Sequence, residues 1–166
     1  MIPADERKFL DAGIFIGAIL LGDPRHSEAY PLVEAARHGD FRSCTSVGVL
    51  SEVYAALTWT GTVTPHTPAD AARSVRELVE QPSAIEVLQD GFEVSLLHLR
   101  LAEPHHLTAR RIHDARHAAT ALHNNVTHVY TYDPADWHDF LADGIVIAGP
   151  PSTLASHAPT KRSQNI

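Results

Sequence analysis

Four acidic side chains stand where a carboxylate needs a reason to be. Asp11 follows Phe9-Leu10 and precedes an apolar run, at the expected carboxyl end of a first strand. Asp133 follows His128-Val129-Tyr130-Thr131, at the end of another. Glu52 shares a helical stripe with Val49 and Ala56, on the border of an apolar face. Asp114 has Ala118 and Ala121 four and seven residues on, so it projects from a small-residue face that should pack on a sheet. Each has an ordinary alternative. Asp11 or Asp114 can cap a helix. Asp133 can be a turn residue ahead of Pro134, and Glu52 a glutamate at the rim. Asp136, Asp139 and Asp143 read mostly as a solvated face, with Asp136 able to assist Asp133.

Gathered at one place, these groups acquire a chemistry. Carboxylates ~5 Å apart at an effective dielectric of ~20 repel by about 3 kcal/mol per pair. A bound divalent cation removes that penalty, and hard oxygen ligands suit Mg²⁺ or Mn²⁺. Such an ion can lower the pKa of a bound water and orient it for nucleophilic attack. Thr131 and Ser46 are placed to orient ligand carboxylates or water.

The elements that would position the acids alternate between two periods. Strands are expected at 8–10, 41–45, 84–88, 126–131 and 145–148. Helices are expected at 14–21, 27–38, 69–80, 91–102 and 108–123, with a further one capped by Thr45 or Ser46 and running to about 59. Gly39 and Asn124-Asn125 are stop signals. This alternation predicts an α/β fold with a largely parallel sheet and helices on both faces. Sites in such sheets form outside the carboxyl ends of the strands. A single domain over 1–149 is expected. Residues 150–166, rich in proline and small polar residues, read as an extended or disordered tail.

Composition narrows the classes. The chain has 166 residues and a formal net charge of −7, enough for one core and against a broad basic surface for nucleic acid. Its 13 basic residues are 11 arginines and 2 lysines. Arg110, Arg111 and Arg116 lie near Asp114, where they can be ordinary surface arginines or contacts for an anionic ligand. One cysteine, Cys44, excludes an internal disulfide and a Cys-rich metal site. It reads as a buried small hydrophobe. The longest apolar run, 12–22, is too short to span a bilayer, and early acidic residues argue against a signal peptide. A cytoplasmic protein without membrane contact is expected. No phosphate-binding Gly-rich loop and no nucleophile elbow occur.

Four segments then carry a resemblance. They are Phe9-Leu10-Asp11-Ala12-Gly13-Ile14-Phe15-Ile16, Thr45-Ser46-Val47-Gly48-Val49-Leu50-Ser51-Glu52-Val53, Asp114-Ala115-Arg116-His117-Ala118-Ala119-Thr120-Ala121 and Thr131-Tyr132-Asp133-Pro134-Ala135-Asp136-Trp137. In type and order they resemble the four motifs of PIN-domain nucleases, and in length and motif style the VapC-type toxins among them. The resemblance implies a Rossmann-like, three-layer fold with strand order 3-2-1-4-5. It implies a Mg²⁺- or Mn²⁺-dependent endoribonuclease with Asp11, Glu52, Asp114 and Asp133 as catalytic and metal-binding residues. An RNA substrate, a small antitoxin partner and a homodimer follow from the same likeness. One departure stands out. The first motif usually carries a small polar residue, often Asn, where this chain has Gly13. That substitution loses a side-chain hydrogen bond but permits close backbone approach.

Two other readings use the same residues. His113 and His117, at i and i+4 on one helix, have zinc-site spacing. The metalloprotease motif, however, requires Glu where Asp114 stands. Gly13 would also suit a degenerate PIN domain that serves only as a protein-binding module.

Overall fold

The computed structural model describes residues 6–157. Five short strands form one parallel sheet in the order β3-β2-β1-β4-β5. They are β1 (Lys8–Leu10), β2 (Ser43–Thr45), β3 (Glu86–Val87), β4 (His128–Tyr130) and β5 (Val146–Gly149). The connecting helices are α1 (Ala12–Ile19), α2 (His26–His38), α3 (Val47–Thr58), α4 (Pro68–Val79), α5 (Phe92–Ala102), α6 (Arg111–His123) and α7 (Pro134–Trp137). A 3₁₀ turn follows over His138–Asp143, and α8 (Pro151–His157) comes after β5.

Strand β1 is central because its residues can be buried on every side. Phe9 and Leu10 are fully buried, and β1 pairs with β2 through Lys8 and Phe9 and with β4 through all three residues. The chain builds outward to β3 on one side of β1, then crosses to β4 on the other. The order therefore reverses beside β1, where parallel sheets open a crevice at their carboxyl edge. Helix α1 covers the core with Ile14 and Phe15, α3 with Val49, Val53 and Leu57, and α6 with Ala115, Ala118, Ala119 and Ala121. The small side chains on α6 include the apolar stripe predicted below Asp114.

Helix ends follow local chemistry. Asp11 and Ser46 cap α1 and α3 with their side chains, so of the two candidates for α3 Ser46 does the work. Thr67 caps α4, with Pro68 at its first position, where a missing N–H costs nothing. Gly39 ends α2 in the left-handed region at φ 80°.

Three expectations needed correction. Helix α6 starts at Arg111 rather than 108, after a loop in which His106 and Ala109 take positive φ. The acidic stretch after Asp133 exposes Asp136 and Asp143 as expected, but it is not only a solvated face. It folds as α7 and the 3₁₀ turn because Trp137 and Phe140 drive into the core. The stretch after Pro150 is helical over Pro151–His157. Its small polar residues find specific partners there: Thr153 Oγ1 donates to the Thr131 carbonyl at 2.8 Å, and Ser152 donates through N and Oγ to Glu28 at 3.1 and 2.6 Å. The rest of that expected tail, 158–166, lies outside the described residues. Among the described residues, no helix is long and apolar enough to cross a membrane.

Because Thr153 is buried, its hydroxyl anchors α8 to the strand end that precedes Asp133. Thr153→Val keeps the shape and strands the Thr131 carbonyl. We expect about 1–3 kcal/mol lower stability in urea unfolding; unchanged stability would show that α8 is not anchored there.

Candidate active site

Parallel topology sets the site. β1, β2 and β4 all end at the same edge of the sheet, so Asp11, Ser46 and Thr131 emerge together. Helix α3 leaves from that edge and carries Glu52 in its second turn. Helix α6 returns toward the start of β4, so its first turn, with Asp114, lies over the same edge. Asp133 opens α7, and Asp136 lies within it. Asp11, Glu52, Asp114, Asp133 and Asp136 line one cleft of about 250 Å³, together with Gly13, Arg25, His117 and Trp137.

Asp11 is the most constrained of the acids, with 8% of its surface exposed. One oxygen, Oδ1, accepts the Ala12 backbone N–H at 2.9 Å. The other accepts from Thr131 Oγ1 at 2.7 Å and from Trp137 Nε1 at 3.0 Å. Register makes the Thr131 contact inevitable, since Leu10 pairs with Tyr130 and the next residues stand side by side. The Trp137 ring packs edge-on against Phe9, 5.5 Å between centroids, which fixes its N–H toward Asp11. Both sequence alternatives for Asp11 thus hold at once: it caps a helix and faces the cleft.

Glu52 is held differently. Its Oε1 meets His117 Nε2 at 2.7 Å, and Nδ1 of the same ring meets Ser46 Oγ at 3.3 Å. Ser46 Oγ also accepts the Val49 N–H. The imidazole is buried and leaves no room beside α3: a Cβ at Gly48 would lie 3.0 Å from its Cε1. Gly48 is therefore the position that lets His117 reach across from α6.

The remaining carboxyls are strained electrostatically. Burial pushes the Asp114 carboxyl up, and the negative charges of Glu52 and Asp11 add to it. Burial and Asp11 raise Asp133, against the lowering effect of Arg25. Asp136 is raised by burial, then by Asp114, Asp133, Asp11 and Glu52. Asp136 is exposed, as expected of that run, and also lines the cleft beside the four acids, where it can assist Asp133. Desolvation opposes charge on His117, but its hydrogen bond to Glu52 and the charges of Glu52 and Asp11 outweigh it and raise its pKa. As arranged, no group of three or more His, Cys, Asp or Glu among the described residues is disposed to hold a metal ion. The acids share a cleft without forming a closed ligand shell. In donor type they suit a hard divalent cation.

Other expected residues divide clearly. Arg116 pairs with Asp90 at 2.7 Å, and Arg111 pairs with Asp139. Arg110, Arg111 and His113 border the outer side of the cleft beside Glu52 and Asp114. His113 and His117 do not act as a zinc pair: His113 is exposed, while His117 is committed to Glu52 and Ser46. Cys44 is buried and its thiol is pushed up to about 12 by burial, so it is inert at neutral pH. Sequence reasoning missed three participants. Trp137 was read only as a motif member, His117 as half of a zinc pair, and Arg25 not at all. The apolar neighbours of His117 on α6 were the available signal, since a histidine among buried alanines needs a partner.

A doubly wound parallel sheet with an acidic crevice at its switch point defines the class: an α/β protein with a carboxylate-lined cleft. A model of the PIN domain family matches residues 8–139, and the chain belongs to that family. Solved structures agree in fold. The sarcin-ricin loop cleaving toxin VapC20 of Mycobacterium tuberculosis has 20% identity and a TM-score of 0.61, over 86% of this chain and 99% of that one. VapBC-1 of nontypeable Haemophilus influenzae has 16% identity and a TM-score of 0.57, over 84% and 95%. FitAcB of Neisseria gonorrhoeae has 15% identity and a TM-score of 0.53, over 84% and 96%. No curated protein matches closely enough to count as a relative.

The raised groups fix a sign. Asp114, Asp133 and Asp136 hold protons more tightly when folded than when unfolded, so the metal-free protein loses stability as pH rises from about 4 through their raised values. His117 acts in the same sense. Its contribution is complete below the unfolded value of about 6.5 and is lost as pH rises through its raised folded value. Asp23, lowered by its hydrogen bond to Arg25, acts oppositely, but only in more acid solution. A divalent cation must displace the same carboxyl protons. Thermal melts of chelator-treated protein should therefore show a Mn²⁺-induced gain in Tm that grows between about pH 4 and 7. A gain independent of pH would mean that the ion binds elsewhere.

Proposed function

We propose that this chain is a divalent-metal-dependent endoribonuclease, the toxin of a type II toxin–antitoxin pair. The observation that carries the reading is the meeting of Asp11, Glu52, Asp114, Asp133 and Asp136 in one cleft at the switch point of the sheet. Asp11, Glu52, Asp114 and Asp133 are the metal-holding and catalytic residues, with Asp136 beside them and Mg²⁺ or Mn²⁺ as the ion. When bound, the ion supplies Lewis acidity and an activated water for in-line hydrolysis of an RNA phosphodiester.

The protein's own contribution is placement. Three donors hold Asp11 in one orientation and occupy Oδ2 twice, which leaves Oδ1 the oxygen with capacity for a cation. His117 holds one oxygen of Glu52 and leaves the other for the ion or for a proton. Asp114 and Asp133, both raised by burial and by neighbouring charge, gain from a cation, as does Asp136. Arg110 and His113 stand on the rim, where a phosphate backbone would enter.

The partners are proposed on the same footing. The VapC-like motifs and fold support an antitoxin, and a groove lined by Ile19, Leu20, Leu21 and Val63 offers it an apolar seat. Phe92, Leu96 and Leu99, exposed at i, i+4 and i+7 on α5, support a homodimer. We place the protein in the cytoplasm.

Cleavage of single-stranded RNA with added Mn²⁺ tests the enzyme reading. Asp11→Asn and Asp114→Asn should each lower the rate by at least about a hundredfold. Full activity in both would overturn the assignment. A wild-type protein that neither cleaves RNA nor binds Mn²⁺ would favour the non-catalytic module.

A further inference from the structure

Among the described residues, Arg25 is the permanently cationic side chain inside the acid cleft, while Arg110 and Arg111 border its outer side. It reaches the cleft from the residue just before α2. Asp23 grips one edge of its guanidinium, accepting from Nε at 2.9 Å and from Nη2 at 2.8 Å, and Asp23 Oδ1 also accepts the Arg25 backbone N–H at 2.8 Å. The face of the group lies over Tyr132, with Cζ 5.1 Å from the ring centroid. Tyr132 is itself fixed by donating to Glu28 at 3.0 Å, the carboxylate that also receives Ser152. Asp23 and Tyr132, the latter braced by Glu28, thus hold the guanidinium in place while leaving Nη1 over.

Nη1 points to Gly13. A Cβ at that position would be 3.4 Å from Arg25 Nη1 and 3.4 Å from Asp133 Oδ2. The cation and the carboxylate therefore border the same small space without forming an ion pair across it. A larger polar residue at 13 would fill that space and screen Nη1 from the cleft. With glycine there, two N–H donors open onto the place where the acids gather. An Arg whose Nε and Nη2 are spent on a carboxylate, and whose Nη1 faces a cleft, is arranged to take one more anionic oxygen.

We propose that Arg25 is the substrate anchor of the cleft, binding a non-bridging phosphate oxygen of the RNA backbone through Nη1 across the gap at Gly13. This rests on the ribonuclease reading. It adds to it a residue outside the four motifs and gives Gly13 a purpose. A polyanion entering a cleft lined by five carboxylates needs a fixed positive charge close to the reacting phosphate. Arg25 supplies one without being consumed by Asp133, because Asp23 already holds it back.

The test is steady-state cleavage of a fluorescent, random-sequence single-stranded RNA with Mn²⁺ at several salt concentrations. It is run on wild type, Arg25→Gln and Gly13→Asn, with Mn²⁺ affinity measured by calorimetry. Arg25→Gln should raise KM about tenfold or more. It should flatten the dependence of log(kcat/KM) on log salt by about 0.7, the signature of one lost single-strand phosphate contact. Mn²⁺ affinity should hold or tighten. Gly13→Asn should raise KM in the same direction with the charge of Arg25 intact, which keeps the idea testable if Arg25→Gln folds poorly. Active wild type with unchanged KM and salt slope in both variants overturns the anchor and leaves the ribonuclease reading standing. Weakened Mn²⁺ binding with unchanged KM would make Arg25 a support for Asp133 and also overturn it. A wild type that does not cleave RNA removes both.

Discussion

A carboxylate buried at the end of a central strand must be met by donors, and Asp11 is met by three from three different segments. The Ala12 amide comes from the start of α1, the Thr131 hydroxyl from the end of β4 and the Trp137 indole from the end of α7. Hydrogen bonds to a charged group are worth about 1.5–3 kcal/mol each, so these contacts order more than one side chain. They tie the first motif to the fourth across more than a hundred residues of sequence. They also explain why the acidic stretch after Asp133 folds back: Trp137 must reach the core to donate its N–H.

The other acids are arranged around that fixed point with less support. Asp114, Asp133 and Asp136 are each raised by burial and by neighbouring negative charge. The cleft is therefore under tension in the absence of a cation. Two groups moderate it, one by a hydrogen bond and one by its charge. His117 bonds to Glu52 from one side, and Arg25, restrained by Asp23, faces Asp133 from the other. Neither neutralises the cluster, which is why a divalent ion is proposed for the cleft. Such stored repulsion is a usual feature of functional sites.

Much of this was legible in the sequence. The strand–helix alternation gave a parallel sheet. The position of Asp11 after Phe9-Leu10, and of Asp133 after Val129-Tyr130-Thr131, placed two acids at one edge. Thr131 and Ser46 were expected to orient ligand carboxylates: Thr131 bonds to Asp11 directly, whereas Ser46 reaches Glu52 only through His117. What was not legible depended on partners distant in sequence. His117 and Glu52 are 65 residues apart, and only the meeting of α3 with α6, allowed by Gly48, makes them a pair. Arg25 lies in a turn with no periodic signal. The Gly13 gap that it faces read as a lost hydrogen bond until the third dimension supplied a neighbour. The helix over Pro151–His157 was hidden because its polar residues resemble a tail unless Thr131 and Glu28 are known to wait for them.

The central claim is that the gathered carboxylates hold a divalent cation. Anomalous diffraction from crystals of the protein soaked in Mn²⁺ tests it most directly. The account predicts a peak between Asp11, Asp114 and Asp133, with Glu52 or Asp136 turned toward it. Well-ordered crystals with manganese bound only outside that cleft would contradict it.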